Sequence, residues 1–162
     1  MVKDYKISTP FFEFGPKAYL YGEQLLELMK KIDGFAQKYD MDVLADIQTT
    51  DLRLIAENTS NRIHVYSQHM DNIPVGRGMG TILPEAVKAT GAVGVMLNHA
   101  ERKLTLEEVE EAIKRADEVG LATIVCADTE EEIEAIAKMN PNIIVAEPSE
   151  LIGTGIAVGR EY

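Results

Sequence analysis

Two short runs without a single polar residue constrain this chain more than any other feature. Residues 92–97 and Ile143–Ala146 are apolar throughout, and each stops abruptly: Asn98 and His99 follow the first, Glu147 and Pro148 the second. A strand lacking a polar face is covered on both sides, the pattern of a parallel sheet packed between other layers. Pro148 cannot extend a ladder, and Gly153 and Gly155 permit backbone angles that other residues resist. A charged residue at the carboxyl end of a buried strand, next to such a loop, is where α/β folds hold their chemistry.

The rest of the chain alternates strand and helix. Residues 10–14 read as a first strand closed by Gly15-Pro16, and Leu25, Leu28, Met29, Ile32, Phe35, Ala36 and Tyr39 then recur at helical spacing. A strand at 41–47, a helix at 51–58 and a strand at Ile63–Ser67 lead into a loop at 69–81 rich in glycine. Pro84 and Gly91 bracket a short helix before the strand at 92–97. Thr105 and Glu108 form a capping box for a helix stopped by Gly120, Ala122–Ala127 is the fifth strand, and Thr129 with Glu132 repeats the box. Ile143–Ala146 is the sixth strand. Six parallel strands fit an open doubly wound sheet or a (β/α)8 barrel, and periodicity leaves both open. The missing Gly-x-Gly-x-x-Gly after the first strand counts against a dinucleotide fold.

Lys17, His99 and Glu147 follow the first, fourth and sixth strands, so a parallel sheet brings them to one rim. Together they suit proton transfer on an anionic, carbonyl-bearing substrate. A carboxylate can take a proton from carbon, an imidazole can polarise an oxygen, and an ammonium can hold negative charge.

Composition narrows the partners. A net charge of −11 argues against nucleic acid or an anionic membrane surface, which demand clustered Lys and Arg, but not against a small anionic substrate. With 162 residues and 46% hydrophobic content, a single domain spanning 1–162 is expected. Cys126 is the lone cysteine and the start of the chain lacks a signal-peptide core, so a cytoplasmic protein is expected. Gly76, Gly78 and Gly80 lack the Lys-Ser/Thr of a P-loop, and His64 and His69 lack metal-ligand spacing, so neither a metal nor another cofactor is expected.

Val145-Ala-Glu-Pro-Ser-Glu-Leu-Ile-Gly-Thr-Gly155 resembles the closing lid of triosephosphate isomerases, especially their shorter archaeal-type branch. Leu97-Asn-His-Ala-Glu-Arg102 is similar to that family's strand-four motif, and Asp51-Leu-Arg-Leu-Ile-Ala-Glu57, Ser67-Gln-His-Met-Asp71, Ile82-Leu-Pro-Glu-Ala-Val87 and Thr123-Ile-Val-Cys126 match as well. The resemblance implies a TIM (β/α)8 barrel and a cofactor-free aldose–ketose isomerase of carbohydrate metabolism working through an enediolate, in glycolysis and gluconeogenesis. Triose phosphate is the default substrate and a tetrulose phosphate the close alternative. By that resemblance Glu147 is the base, His99 the neutral electrophile, Lys17 the holder of negative charge, Glu101 a carboxylate near the lysine, and Gly153 a phosphate-binding amide of the lid. It also implies a homodimer or homotetramer, with the 69–81 loop buried in a neighbouring subunit.

This sequence departs from the family pattern in places. Gly15 replaces an asparagine, Ala100 a serine, and Met79 the threonine of the third loop, changes that reshape the pocket. The sequence stops at Gly159-Arg-Glu-Tyr162, so about six βα units are expected and the last two are missing. It reads as a fragment of a longer protein, a chain completed by a second copy, or a noncatalytic paralogue serving as an assembly or binding module.

Overall fold

The computed structural model describes residues 1–155, so Gly159 to Tyr162, where the sequence reading ends the chain, lie outside the described residues. The strands are β1 (Phe11–Phe14), β2 (Asp42–Ile47), β3 (Ile63–Ser67), β4 (Gly94–Leu97), β5 (Ala122–Ala127) and β6 (Ile143–Ala146). Between them run α1 (Gly22–Tyr39), α2 (Leu52–Asn58), α3 (Pro84–Ala89), α4 (Leu106–Val119) and α5 (Glu130–Lys138). All pairings are parallel, and the spatial order is β1-β2-β3-β4-β5-β6. A doubly wound sheet reverses its order at a switch point. This sheet never does, so the connections wind one way, as in a (β/α)8 barrel with about six units present.

Side-chain alternation sorts the sheet into two faces. Val43, Ala45, Ile47, Ile63, Val65, Val95, Leu97, Val125 and Ala127 pack under the helices against Leu25, Met29, Ile55, Val109, Ile113 and Ile136. Each fully buried Val, Leu, Ile or Met side chain among them contributes about 1.5–3 kcal/mol of transfer free energy. The other face carries Leu44, Tyr66, Met96, Ala122, Ile124 and Cys126, a smaller cluster inside the curl. Gly94 is required there, because a Cβ would sit 2.1 Å from Cε1 of the buried Tyr66 ring. The amino-terminal segment closes the far end of the strands. Tyr5 meets the His64 and Tyr66 rings edge-on at 5.6 and 6.2 Å, and the Ser8 amide donates to Asp42 at 2.7 Å.

Helix ends follow local chemistry, with two reassignments. The capping box of α4 forms as expected: Thr105 accepts the Glu108 amide at 3.2 Å and Glu108 accepts the Thr105 amide at 2.7 Å. Gly120 ends the helix in the left-handed conformation at φ 75°. At α5 only half the box forms, since Thr129 accepts the Glu132 amide while the Glu132 carboxylate turns to Asp128, Asn98 and Lys103. Asp51 likewise turns away from its own helix and accepts the Gly22 amide at 2.9 Å, placing negative charge at the start of α1.

The sixth strand differs from expectation. Ile143, Ile144 and Val145 are only half-buried and Ala146 is exposed, because β6 is an edge strand among the described residues. At the opposite edge Phe12 is 56% exposed. Two such edges are what an unclosed curl leaves. Among the described residues no helix is long and apolar enough to cross a membrane.

Candidate active site

The carboxyl ends of the strands open into a cavity of about 450 Å³ lined by Lys17, His99, Glu101 and Glu147 together with Gly15, Glu13, Asp46, Gln68 and Cys126. The sequence-predicted groups, separated by up to 130 positions, therefore share one cavity. Gly153 is exposed at φ 77°, in the turns beyond Ser149–Leu151, and does not line it.

Lys17 stands just past β1 with φ 51°, a left-handed conformation costing a non-glycine residue about 1–2 kcal/mol. Its neighbours hold it there. Gln68 donates from Nε2 to the Lys17 carbonyl at 2.9 Å and to the Asp46 carbonyl at 3.0 Å, and Gln48 reaches the Lys17 carbonyl at 3.4 Å. The ammonium so positioned meets Glu101 Oε1 at 2.7 Å. Lys17 in turn holds the Glu101 carboxyl below the usual carboxylate range.

His99 is set by a second left-handed residue, Asn98, at φ 58°. Asn98 is fully buried, donates to the Cys126 carbonyl at 2.8 Å and to Glu132 at 2.9 Å, and accepts the Leu104 amide at 2.9 Å. These bonds tie the β4 loop to the start of α5 and to the segment entering α4. The turn at Ala100–Arg102 then brings the Glu101 amide to 3.1 Å from His99 Nδ1. An amide only donates, so Nδ1 is an acceptor and bears no proton. That leaves Nε2 as the ring's donor toward the cavity side.

Glu147 extends the ladder one residue past β6, its amide donating to the Ala127 carbonyl at 3.0 Å, and its side chain is half-buried. Burial and the nearby carboxylates of Asp46, Glu147 and Glu13 push the Cys126 thiol up to about 12. Cys126 is thus a protonated wall residue and no nucleophile. The arrangement offers a carboxylate, an imidazole and an ammonium around one space, with no metal-binding group of acidic, histidine or cysteine side chains among the described residues. Such a set can move a proton on carbon next to a carbonyl while balancing the charge that develops on oxygen.

Sequence reading missed four contributors. Gln68 and Asn98 lie inside quoted motifs, yet nothing in a linear motif reveals that one holds a carbonyl and the other a loop. Glu13 and Asp46 carried a signal, a charge on alternate positions of otherwise apolar strands. In the third loop, Val75 is 69% exposed and Met79 fully exposed, and neither lines the cavity.

The triosephosphate isomerase family model matches residues 15–162. The triosephosphate isomerase of Sulfurisphaera tokodaii is 40% identical over 157 residues, 96% of this chain and 68% of that protein. That of Methanobacterium bryantii is 41% identical over 154 residues, 94% of this chain and 67% of that protein. That of Methanocaldococcus jannaschii is 39% identical over 139 residues, 86% and 63% of the two chains. This chain thus spans about two thirds of the length of these relatives.

Proposed function

Because the chain belongs to the triosephosphate isomerase family, we propose that it interconverts the aldose and ketose forms of a small sugar phosphate through an enediolate. The observation that carries this reading is the meeting of Glu147, His99 and Lys17 in one cavity. Glu147 takes a proton from the carbon beside the carbonyl. The electron pair moves toward oxygen, where the Nε2–H of His99 donates a hydrogen bond and the Lys17 ammonium balances the growing charge. His99 passes its proton to one oxygen and recovers one from the other, and Glu147 returns its proton to the adjacent carbon. Atoms and charge balance without an added redox partner.

The pairing of Lys17 with Glu101 at 2.7 Å keeps the ammonium at the cavity rim rather than free in solvent. Triose phosphate is the default substrate. Closure of the 145–155 segment over it, with Gly153 offering its amide to the phosphate, belongs to the same reading, as does a homo-oligomer that buries the 69–81 loop. Exclusion of water by such closure would strengthen each electrostatic contact.

The test is proton exchange. Incubated in D2O with dihydroxyacetone phosphate or a tetrulose phosphate, the full chain is expected to place deuterium on the carbon next to the carbonyl of at least one of them, read by NMR. No exchange with either compound would refute the reading.

A further inference from the structure

Asp46 has no place in the chemistry above, and its surroundings are unusual. It is 1% exposed, it lines the cavity, and neither carboxylate oxygen has a hydrogen-bond partner in the chain. Glu13, from the neighbouring strand, lines the same cavity and is its immediate acidic neighbour, close enough for the two carboxyl groups to share a proton. A buried polar group without a partner is destabilising, and native structures keep few of them. Here a buried acid that no donor group of the chain satisfies faces the space where substrate would enter.

We propose that Asp46, with Glu13 beside it, forms a hydroxyl-binding subsite, so that the cavity takes a sugar phosphate with a hydroxyl-bearing carbon beyond the three of a triose. This rests on the sugar-phosphate reading and names the substrate class within it. Burial, then a hydrogen bond with the adjacent Glu13 and its charge, raise the Asp46 pKa well above the usual carboxylate range and so favour its protonated form. A protonated carboxyl donates through O–H and accepts through C=O, as a hydroxyl does. A phosphate, in contrast, would meet the charge of Glu13. Phosphate therefore belongs at the Lys17 side and the hydroxylated carbons at the Asp46 side.

Gly15 fits the same arrangement. A Cβ there would lie 3.0 Å from Glu13 Oε1, so a side chain at this position would require the Glu13 carboxylate to give way by a few tenths of an ångström. The cavity of about 450 Å³ is in the range of small-ligand sites, with space for more than the reacting carbons.

The experiment compares binding of glycerol 3-phosphate and erythritol 4-phosphate by calorimetry, using the full chain and its Asp46→Ala and Asp46→Asn variants. The wild type is expected to bind the four-carbon ligand at least about tenfold tighter, the effect of one satisfied buried hydrogen-bonding group. Asp46→Ala should bring the ratio near one, and Asp46→Asn, whose amide still donates and accepts, should restore part of it. The melting temperature of Asp46→Ala should stay level or rise by about 2–4 °C, since the variant removes a buried acid whose one polar neighbour is another acid. A wild-type ratio near one, a ratio unmoved by Asp46→Ala, or a melting temperature lowered by that variant would overturn the subsite. The two readings fail separately. A wild type that exchanges no carbon-bound proton yet prefers the tetritol sinks the isomerase and leaves the subsite, whereas isomerisation with no chain-length preference sinks the subsite alone.

Discussion

Glu147→Gln is expected to lower isomerisation and carbon-proton exchange by about a thousandfold while leaving the fold intact. A positioned general base typically contributes 10²–10⁴ to a rate, and the amide keeps the shape of the carboxylate without its basicity. The fold should tolerate the change because the structural bond at this position, to the Ala127 carbonyl, comes from the Glu147 backbone. The loss should appear in kcat rather than in KM, since the carboxylate acts on the reacting carbon. Steady-state kinetics with the preferred sugar phosphate decides it. Activity within threefold of wild type would remove Glu147 from the chemistry.

Asn98→Ala is expected to lower stability by about 3–5 kcal/mol, or roughly 8–15 °C in melting temperature for a chain of this size. Three bonds vanish at once: those from the Asn98 amide to the Cys126 carbonyl and to Glu132, and that accepted from the Leu104 amide. The Cys126 carbonyl and the Leu104 amide then lose partners in a partly or wholly dry environment, each at about 1–3 kcal/mol. Alanine also tolerates φ 58° poorly, and Asn98→Gly, free of that strain, should recover about 1 kcal/mol of the loss. Denaturant unfolding of both variants separates the two contributions. Equal midpoints for wild type and Asn98→Ala would mean that the loop is held by something else. Because His99 follows Asn98 directly, activity should fall in both variants even where the fold persists.

The parts of this fold that follow from local rules were legible in the sequence. The apolar run before Asn98 gave a buried β4, and Thr105, Glu108 and Gly120 marked both ends of α4, because capping and burial depend on near neighbours. The alternation of strands and helices gave the element order but left two architectures, since winding direction is a property of strand neighbours. Where a side chain serves a distant element, reading failed. Glu132 looked like half of a capping box but holds Asn98 and Lys103 instead. Ile143–Ala146 looked doubly covered, yet it lies at an edge whose exposure depends on what pairs with it.

The site divides in the same way. Lys17, His99 and Glu147 could be placed on a common rim because strand ends in a parallel sheet share one side. Their spacing in three dimensions, the Gln68 bond that secures the Lys17 backbone, and the Glu101 amide that fixes the His99 tautomer belong to tertiary geometry. Glu13 and Asp46 each carried a signal as a charge in a largely apolar strand, but their pairing was hidden. The two lie 33 positions apart and become neighbours only because β1 pairs with β2 in parallel.

The central claim is that an acid, an imidazole and an amine act on one carbon centre, and a crystal structure of the full chain with 2-phosphoglycolate addresses it most directly. The planar carboxylate of that ligand stands in for the enediolate oxygens. The ligand carboxylate is expected within hydrogen-bond distance of His99 Nε2 and Lys17 Nζ, with the Glu147 carboxylate against the ligand carbon. A ligand bound away from these three side chains, or touching only one of them, would contradict the account.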